Sequence, residues 1–543
     1  SRARAGLDDY ADRWAAQALD ACEATELRQS QSPELLDRRT TCLDRRRREL
    51  VALLDVLAEA DAKLVDRTIA VVDSLRAPER CGDLDALQRR EPLPTAPEAR
   101  ALVDQAVDDI AAARAAHAAG RFEHARELAE HALALPVTHR PTRAEGFQQL
   151  GNAQIDLGDS AAAVRSFEQA IAAAEAGGVD ELSASAYDDL VYAHISRDEL
   201  ELAERAIRFA DAEIESLGNP PEERASLLRM QAELAQRRGD HDAAKRDAER
   251  SLALLERTLA PDDPDLAGAR LALGNIRYAA GDYEAAIVAY QRAAQDFTEI
   301  LGADHPRTLG ARSNLAGVFV QVRRLDEALV EHRDILAARA RVLGPEHHLL
   351  SANLIGIAAV HFFQHDLPEA LTVQQRAVDL LERTRGHEHV ETLDARENLA
   401  SMLLASGRAH EAELIAGELV ELRRRVHGVD APDLGEAIEV YARALAMQGE
   451  LEPAAAQVAL SIAAIERAHG RDYLSLVDSL SLAADVAHRR GQHAQAVGFA
   501  ERALTIGERT YGADHEILAE LVATRDRCRA ELSASADTAA PRR

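Results

Sequence analysis

Three clusters of residues could do chemistry by their type and spacing. His332-Arg333-Asp334, inside LVEHRDILAAR (329–339), has the letters of a phosphoryl-transfer catalytic loop, whose aspartate accepts the substrate's hydroxyl proton. The run Arg45–Arg48 could grip phosphate or a lipid headgroup. Loop histidines recur at His305, His347, His348, His387, His389 and His515, and GHEH (386–389) invites a metal.

Each reading needs companions, and the sequence withholds them. A catalytic loop needs Asn five residues after the Asp; Arg339 stands there, and no DFG or Gly-rich loop accompanies it. Neither lysine, Lys63 or Lys245, sits in a phosphate-gripping motif. The arginine run is flanked by Asp44 and Glu49 at helical spacing, which favours a salt-bridged or solvated face. The histidines recur because their loop recurs, and successive loops lie about a repeat apart, too far for ligand bonds of about 2 Å to one ion. None of Cys22, Cys42, Cys81 and Cys528 forms Cys-x-x-Cys, so no zinc site is expected. Among the first three cysteines, one disulfide or free buried thiols both remain open. The expectation is no catalytic residue, no cofactor and no metal: not an enzyme.

Stepping from residues to the elements that carry them, the 543-residue chain is 47% hydrophobic but only 3% aromatic. Its apolar content is Ala and Leu, which favours helix nearly throughout. A net charge of −29 excludes the dense positive footprint that nucleic acid requires. No stretch reaches the roughly 18–20 apolar residues of a membrane span and no charged-then-apolar leader opens the chain, so it is expected to be soluble, without membrane contact of its own.

The helices keep time. An Ala five residues after a helix-breaking turn recurs as Ala125, Ala163, Ala203, Ala244, Ala286, Ala328, Ala370, Ala412, Ala454 and Ala496, in steps of 38, 40, 41 and then 42 six times. Seven residues before each turn stands a small residue (Ala113, Gly151, Ala232, Gly274, Ala316, Ala358, Ala400, Ala442, Ala484), with Val191 the exception. Loop glycines at 302, 344, 386, 428, 470 and 512 share the 42-residue step and predict left-handed C-caps. Small residues at fixed offsets let two antiparallel helices approach to 8–10 Å. No single hairpin buries its apolar stripe, so neighbours must stack into a solenoid. The turns at Asp198, Arg323 and His365 lack Gly and could be less regular.

The pattern small-x6-Gly-x4-Ala-x6-Ala resembles the tetratricopeptide repeat (TPR). The 42-residue period, with LGADHPRTLGARSNLAGVF and GHEHVETLDARENLASML, is similar to its kinesin-light-chain-like subclass. The resemblance implies an all-α fold, a right-handed TPR superhelix of about ten repeats over 101–528. Ahead of it lie an N-terminal helical segment at 1–90 and a Pro-punctuated linker, EPLPTAPEAR, at 91–100; a disordered tail is expected at 529–543.

The first hundred residues carry a second likeness. Trp14, ACEAT, LLDRRTTCLDRRRREL and CGDLDAL resemble the segment that follows the membrane anchor in bacterial TPR-containing serine/threonine kinases. The resemblance implies the sensor or interaction region of such a kinase, whose catalytic domain is not in this chain, facing outward beyond the anchor. Ligand binding would then be communicated by homo-oligomerisation or by flexing of the array. The alternative is a free-standing adaptor or peptide-responsive regulator, cytoplasmic, without a kinase.

A TPR groove is lined chiefly by the first helix of each pair. Counting three residues before the small position and one after it nominates Gln148, Asn152, Arg229, Glu233, Asn275, Glu397, Glu439, Arg443 and Asp485. Beside that stripe stand the equivalent pairs Arg312/Arg396 and Asn314/Asn398. The expected partner is a protein or peptide in this concave groove, held by amides that donate and accept together.

Overall fold

The computed structural model describes residues 2–59, 68–197, 199–429, 433–511 and 518–539. Among them the chain is helical, with no strand. Two long helices, α1 (Arg2–Glu26) and α2 (Pro33–Ala58), and two short ones, α3 (Thr68–Asp73) and α4 (Leu84–Arg89), precede the repeats.

Ten hairpins follow, each an A and a B helix. They are α5/α6 (Pro97–Ala118, Phe122–Ala134), α7/α8 (Arg140–Asp156, Ser160–Gly177), α9/α10 (Asp180–Ser196, Leu200–Ser216), α11/α12 (Pro221–Arg237, His241–Thr258) and α13/α14 (Pro264–Ala279, Tyr283–Leu301). The rest are α15/α16 (Pro306–Gln321, Leu325–Leu343), α17/α18 (Leu350–Phe363, Leu367–Arg385), α19/α20 (Val390–Ala405, Ala409–His427), α21/α22 (Leu434–Met447, Leu451–His469) and α23/α24 (Leu476–Arg489, His493–Tyr511). A last helix, α25 (Ala519–Ala539), packs on the tenth hairpin. The tail placed at 529–543 is therefore helical as far as Ala539; 540–543 lie outside the described residues. The fold is an all-α repeat superhelix, in two compact units that divide between Ala311 and Arg312.

The alanine ruler is the hairpin seam. All ten gridded alanines have 0% exposure. The small residue opposite varies for a packing reason. A Cβ added to Gly151 would lie 2.4 Å from the Phe167 ring, and one on Gly274 2.6 Å from the Tyr290 ring. Phe167 and Tyr290 each stand four residues after the gridded Ala, one turn along helix B. At these two hairpins, where helix B presents Phe or Tyr, helix A yields its methyl group.

Two loop expectations need correction. Gly302, Gly344, Gly386, Gly428 and Gly470 have φ between +85° and +96° but ψ of 159° to 176°. That is extended backbone open almost only to Gly, not the left-handed helical C-cap, because the chain must leave helix B straight to reach the next helix A. The turns at Arg323 and His365 are as regular as the others: φ is +61° and +62°, against +76° at Gly281, so these side chains tolerate a conformation made for Gly. Asp198 and Gly512 lie outside the described residues.

In the first unit the N-terminal helices are fastened to the repeats by charge. Arg45 donates to Glu145 at 3.2 Å, Arg46 to Glu49 at 3.2 Å, Arg47 to Asp44 at 2.8 Å, and Arg48 to Asp104 and Asp108 on α5 at 3.0 and 2.9 Å. The arginine run is thus a salt-bridged seam. Cys42 and Cys81 form a disulfide across the same segment, with Cys22 exposed and free and Cys528 buried and free. The linker is pinned too: the Glu91 amide donates to the Gly177 carbonyl at 2.9 Å.

Candidate functional site

Several first helices of consecutive repeats touch one another, and Gln148 and Arg229 bond across those contacts. In the first unit Gln148 on α7 donates through Nε2 to Ser185 Oγ at 2.8 Å and to Asp189 Oδ2 at 3.1 Å, both on α9. From the other side α11 offers Arg229, whose Nη2 lies 3.3 Å from Asp188 Oδ2, and Ser226, which donates to the same oxygen. Burial pushes the Asp189 carboxyl up to about 6, with Asp188 next to it adding to the rise. Burial also raises Asp188 against the opposing pull of Arg229. Asn152 lines a recess of about 270 Å³ beside them, with His117, Asp156 and Tyr192. Glu233 is half-buried on α11. Asn275 accepts from the Tyr290 hydroxyl at 2.8 Å and is engaged inside its own repeat.

In the second unit Glu397 on α19 meets Arg423 of α20 at 2.8 Å. Arg423 is fully buried, and its single charge is shared with Asp394 at 2.7 Å and Asp433 at 3.1 Å. Burial therefore outweighs it and pushes Glu397 up to about 7, with Glu436, Asp394 and Glu439 adding repulsion. Glu439 on α21 is raised by burial as well, with Arg443 bonded at 2.9 Å and Asp478 and Glu436 opposing it. Asp485 is exposed, with Arg489 at 3.4 Å. Asn314 and Asn398 are exposed on their helices.

Arg312 and Arg396 behave alike, but as hairpin clamps. Arg312 reaches Glu331 on α16 at 2.8 Å, and Arg396 reaches Glu418 on α20 at 2.6 Å. Sequence counting missed Asp188, Asp189, Asp394, Glu436 and Asp478. Asp188 was findable, since it stands three residues before Val191, the one gridded position that is not small. Arg423 gave no signal, because it lies on a second helix.

The motifs of interest settle into structural roles. His332 is buried, with Nδ1 3.3 Å from Asn353 Nδ2, while Arg333 and Asp334 are exposed on the same helix, so the three side chains diverge. Loop histidines brace the entry to the next helix A: Nδ1 of His305 and His389 accepts from the amide two residues on, in the first turn, at 3.1 and 3.3 Å, and Nδ1 of His347 from the Leu349 amide just before α17 at 3.2 Å. His515 lies outside the described residues. What remains along the first helices is a set of half-buried carboxylates beside amides, the carboxyls of Asp188, Asp189, Glu397 and Glu439 raised by burial, with like charge adding to it at all but Asp188. Such a set can accept peptide N–H groups or pair with an incoming cation.

Tetratricopeptide-repeat family models match residues 144–176, 223–425 (as overlapping blocks) and 476–516, together about half of the chain. Among solved structures, the chain is similar to a putative kinesin light chain with nearly identical TPR-like repeats from Podosopora anserina, at 21% identity over 38% of this chain and 97% of that one, TM-score 0.34. It is similar to BtubC (BKLC) from P. vanneervenii, at 19% identity over 43% and 92%, TM-score 0.36. The apo form of RapI matches at 12% identity over 76% and 98%, TM-score 0.43. No curated protein matches. With its gridded alanines buried in every hairpin and its repeats matched by three models of one description, the chain belongs to the tetratricopeptide-repeat family, whose scaffold serves protein interaction.

Proposed function

We propose that the inner faces of the repeats bind an extended, basic segment of a partner protein. The observation that carries this reading is the clustering of half-buried carboxylates (Asp188 with Asp189, and Glu397 with Glu439) whose own arginines do not balance them. A guanidinium or ammonium group arriving between them restores the balance, and a preformed face loses little entropy on binding. The test is titration of a labelled Arg-rich peptide, followed by anisotropy, against the full chain and against Glu397→Gln/Glu439→Gln. The expected result is saturable binding that the double variant weakens at least about tenfold, the loss of roughly one charge-assisted contact. Equal affinity for an Asp/Glu-rich peptide would overturn it.

At the scale of the cell, our reading is the sensor or interaction region of a serine/threonine kinase, with the ligand outside the membrane. Two features support it: the likeness of roughly Tyr10–Leu87 to that family's post-anchor segment, and the Cys42–Cys81 disulfide, a bond that persists in oxidising compartments. Immunoblotting of membrane and soluble extracts tests it. A membrane band far above 58.9 kDa is expected; a soluble band near that mass would place the free-standing adaptor in front.

A further inference from the structure

The tenth hairpin and the helix behind it bring together four donor atoms that neither the repeat nor the proposed face uses. His488 is the penultimate residue of α23, His493 opens α24, and Cys528 and Glu531 stand three apart, hence on one face, of α25. Nδ1 of His488 lies 3.3 Å from Nδ1 of His493 and 3.3 Å from the Cys528 sulfur. Glu531 Oε2 completes the group, 3.0 Å from His493 Nδ1 and 3.6 Å from His488 Nδ1.

These four separations match edges of a tetrahedral site, and the donor atoms of His488, His493 and Cys528 all lie within 4.8 Å of one another. Two nitrogens each about 2.0–2.1 Å from a zinc ion subtend about 3.3 Å across the tetrahedral angle, and a nitrogen and a sulfur about 3.6 Å. Those four separations, at 3.0–3.6 Å, need shifts of a few tenths of an ångström, and rotation of the exposed Glu531 side chain brings its carboxylate to the ion. Donor chemistry narrows the ion. Two imidazoles, a thiolate and one carboxylate make a borderline-soft set, unlike the all-oxygen shells of Ca²⁺ and Mg²⁺. Thiolate and carboxylate together cancel a divalent charge. Cys528 has 0% exposure and packs with Ala487 and Ala496, while the side chains of His493 and Glu531 keep 24% and 45%. The site therefore has an apolar floor and an open rim through which an ion can enter.

We propose that His488, His493, Cys528 and Glu531 bind one Zn²⁺ ion, which ties the final helix α25 to the last hairpin and caps the array. A terminal repeat has one face with no neighbour to cover it, and a metal held by three separate helices makes docking of the cap cost less chain entropy at each end. The sequence carried no sign of this because the ligands come from three elements and lack a Cys-x-x-Cys pair.

The test uses the full chain, chelator-treated with its Cys42–Cys81 disulfide intact, titrated with Co²⁺ alone. Expected are the strong visible bands of tetrahedral cobalt and a thiolate-to-cobalt charge-transfer band, saturating at a single equivalent and bleached by Zn²⁺. Cys528→Ser should abolish the charge-transfer band and Cys22→Ser should keep it. His493→Ala and Glu531→Gln, both at the exposed rim, should each weaken cobalt binding at least about tenfold, the low end for even an outer-shell partner. Weak octahedral spectra in the unmodified chain, or a charge-transfer band that survives Cys528→Ser, would overturn the proposal. Should Cys528→Ser not fold, the unmodified chain and the two rim variants decide it: rim variants that bind Co²⁺ as tightly as the parent overturn it.

Discussion

Glu145 is the residue on which the first unit's charge seam turns. It is buried on α7, receives Arg45 at 3.2 Å and Arg76 at 3.4 Å, and feels Arg114 and Arg46 nearby. Those guanidinium groups hold its carboxyl far below the usual glutamate range despite burial, and Glu49 is likewise lowered by Arg76 and Arg46. Because both pKa values are lower in the folded state, the unfolded chain binds more protons under acid. The stability they confer is complete above the ordinary glutamate pKa of about 4.3 and is lost as pH falls below it. Removing one member leaves buried guanidinium groups uncompensated, so Glu145→Ala should destabilise the chain by about 3–5 kcal/mol. Urea unfolding at pH 7 checks this, and the deficit should shrink by pH 3. A variant as stable as the parent at pH 7 would show that water, not Glu145, satisfies the arginines.

At the scale of the helix pair, size complementarity sets the small position. Tyr290 on α14 fills the space that a methyl group on Gly274 would need. Gly274→Ala gains helix propensity of up to about 1 kcal/mol but forces a ring out of place, at about 1–3 kcal/mol, so net destabilisation is expected. In the Tyr290→Ala background the clash is gone and the same substitution should stabilise. A double-mutant cycle by thermal unfolding reads the sign change; the same sign in both backgrounds would remove the ring as the cause. The N-terminal helices illustrate a different kind of element contact. Their hydrophobic periodicity was legible, but that their arginine run bonds to α5 and α7 depends on a long-range meeting that local spacing cannot announce.

For the whole molecule, a net charge of −29 makes association with a basic segment sensitive to salt and pH. At 0.15 M ionic strength the Debye length is about 8 Å, so distant charges steer little and the proposed binding rests on the half-buried carboxylates. Glu397 at about 7 and Asp189 at about 6 bind a cation only when ionised. Affinity for the Arg-rich peptide should therefore rise by about tenfold from pH 6 to pH 8, with a proton released on binding. Glu397→Gln should flatten that rise. A pH-independent affinity in the parent chain would separate peptide binding from these carboxylates.

The sequence by itself determined the repeat: its period, its hairpin seams and the all-α class, because packing of identical units forces small residues onto a fixed ruler. It also placed the first helix of each pair well enough to nominate Gln148, Glu397 and Glu439 as groove candidates. The tertiary structure decided which nominated residues bond between neighbouring first helices, like Gln148, and which, like Arg312 and Arg396, brace their own hairpin. It chose Cys42 and Cys81 as the disulfide pair, and it brought His488, His493, Cys528 and Glu531 to one point. The reason is the same in each case. A helical period says which side of a helix a residue occupies, whereas charge pairs, disulfides and ligand sets depend on residues that meet only after the helices have stacked.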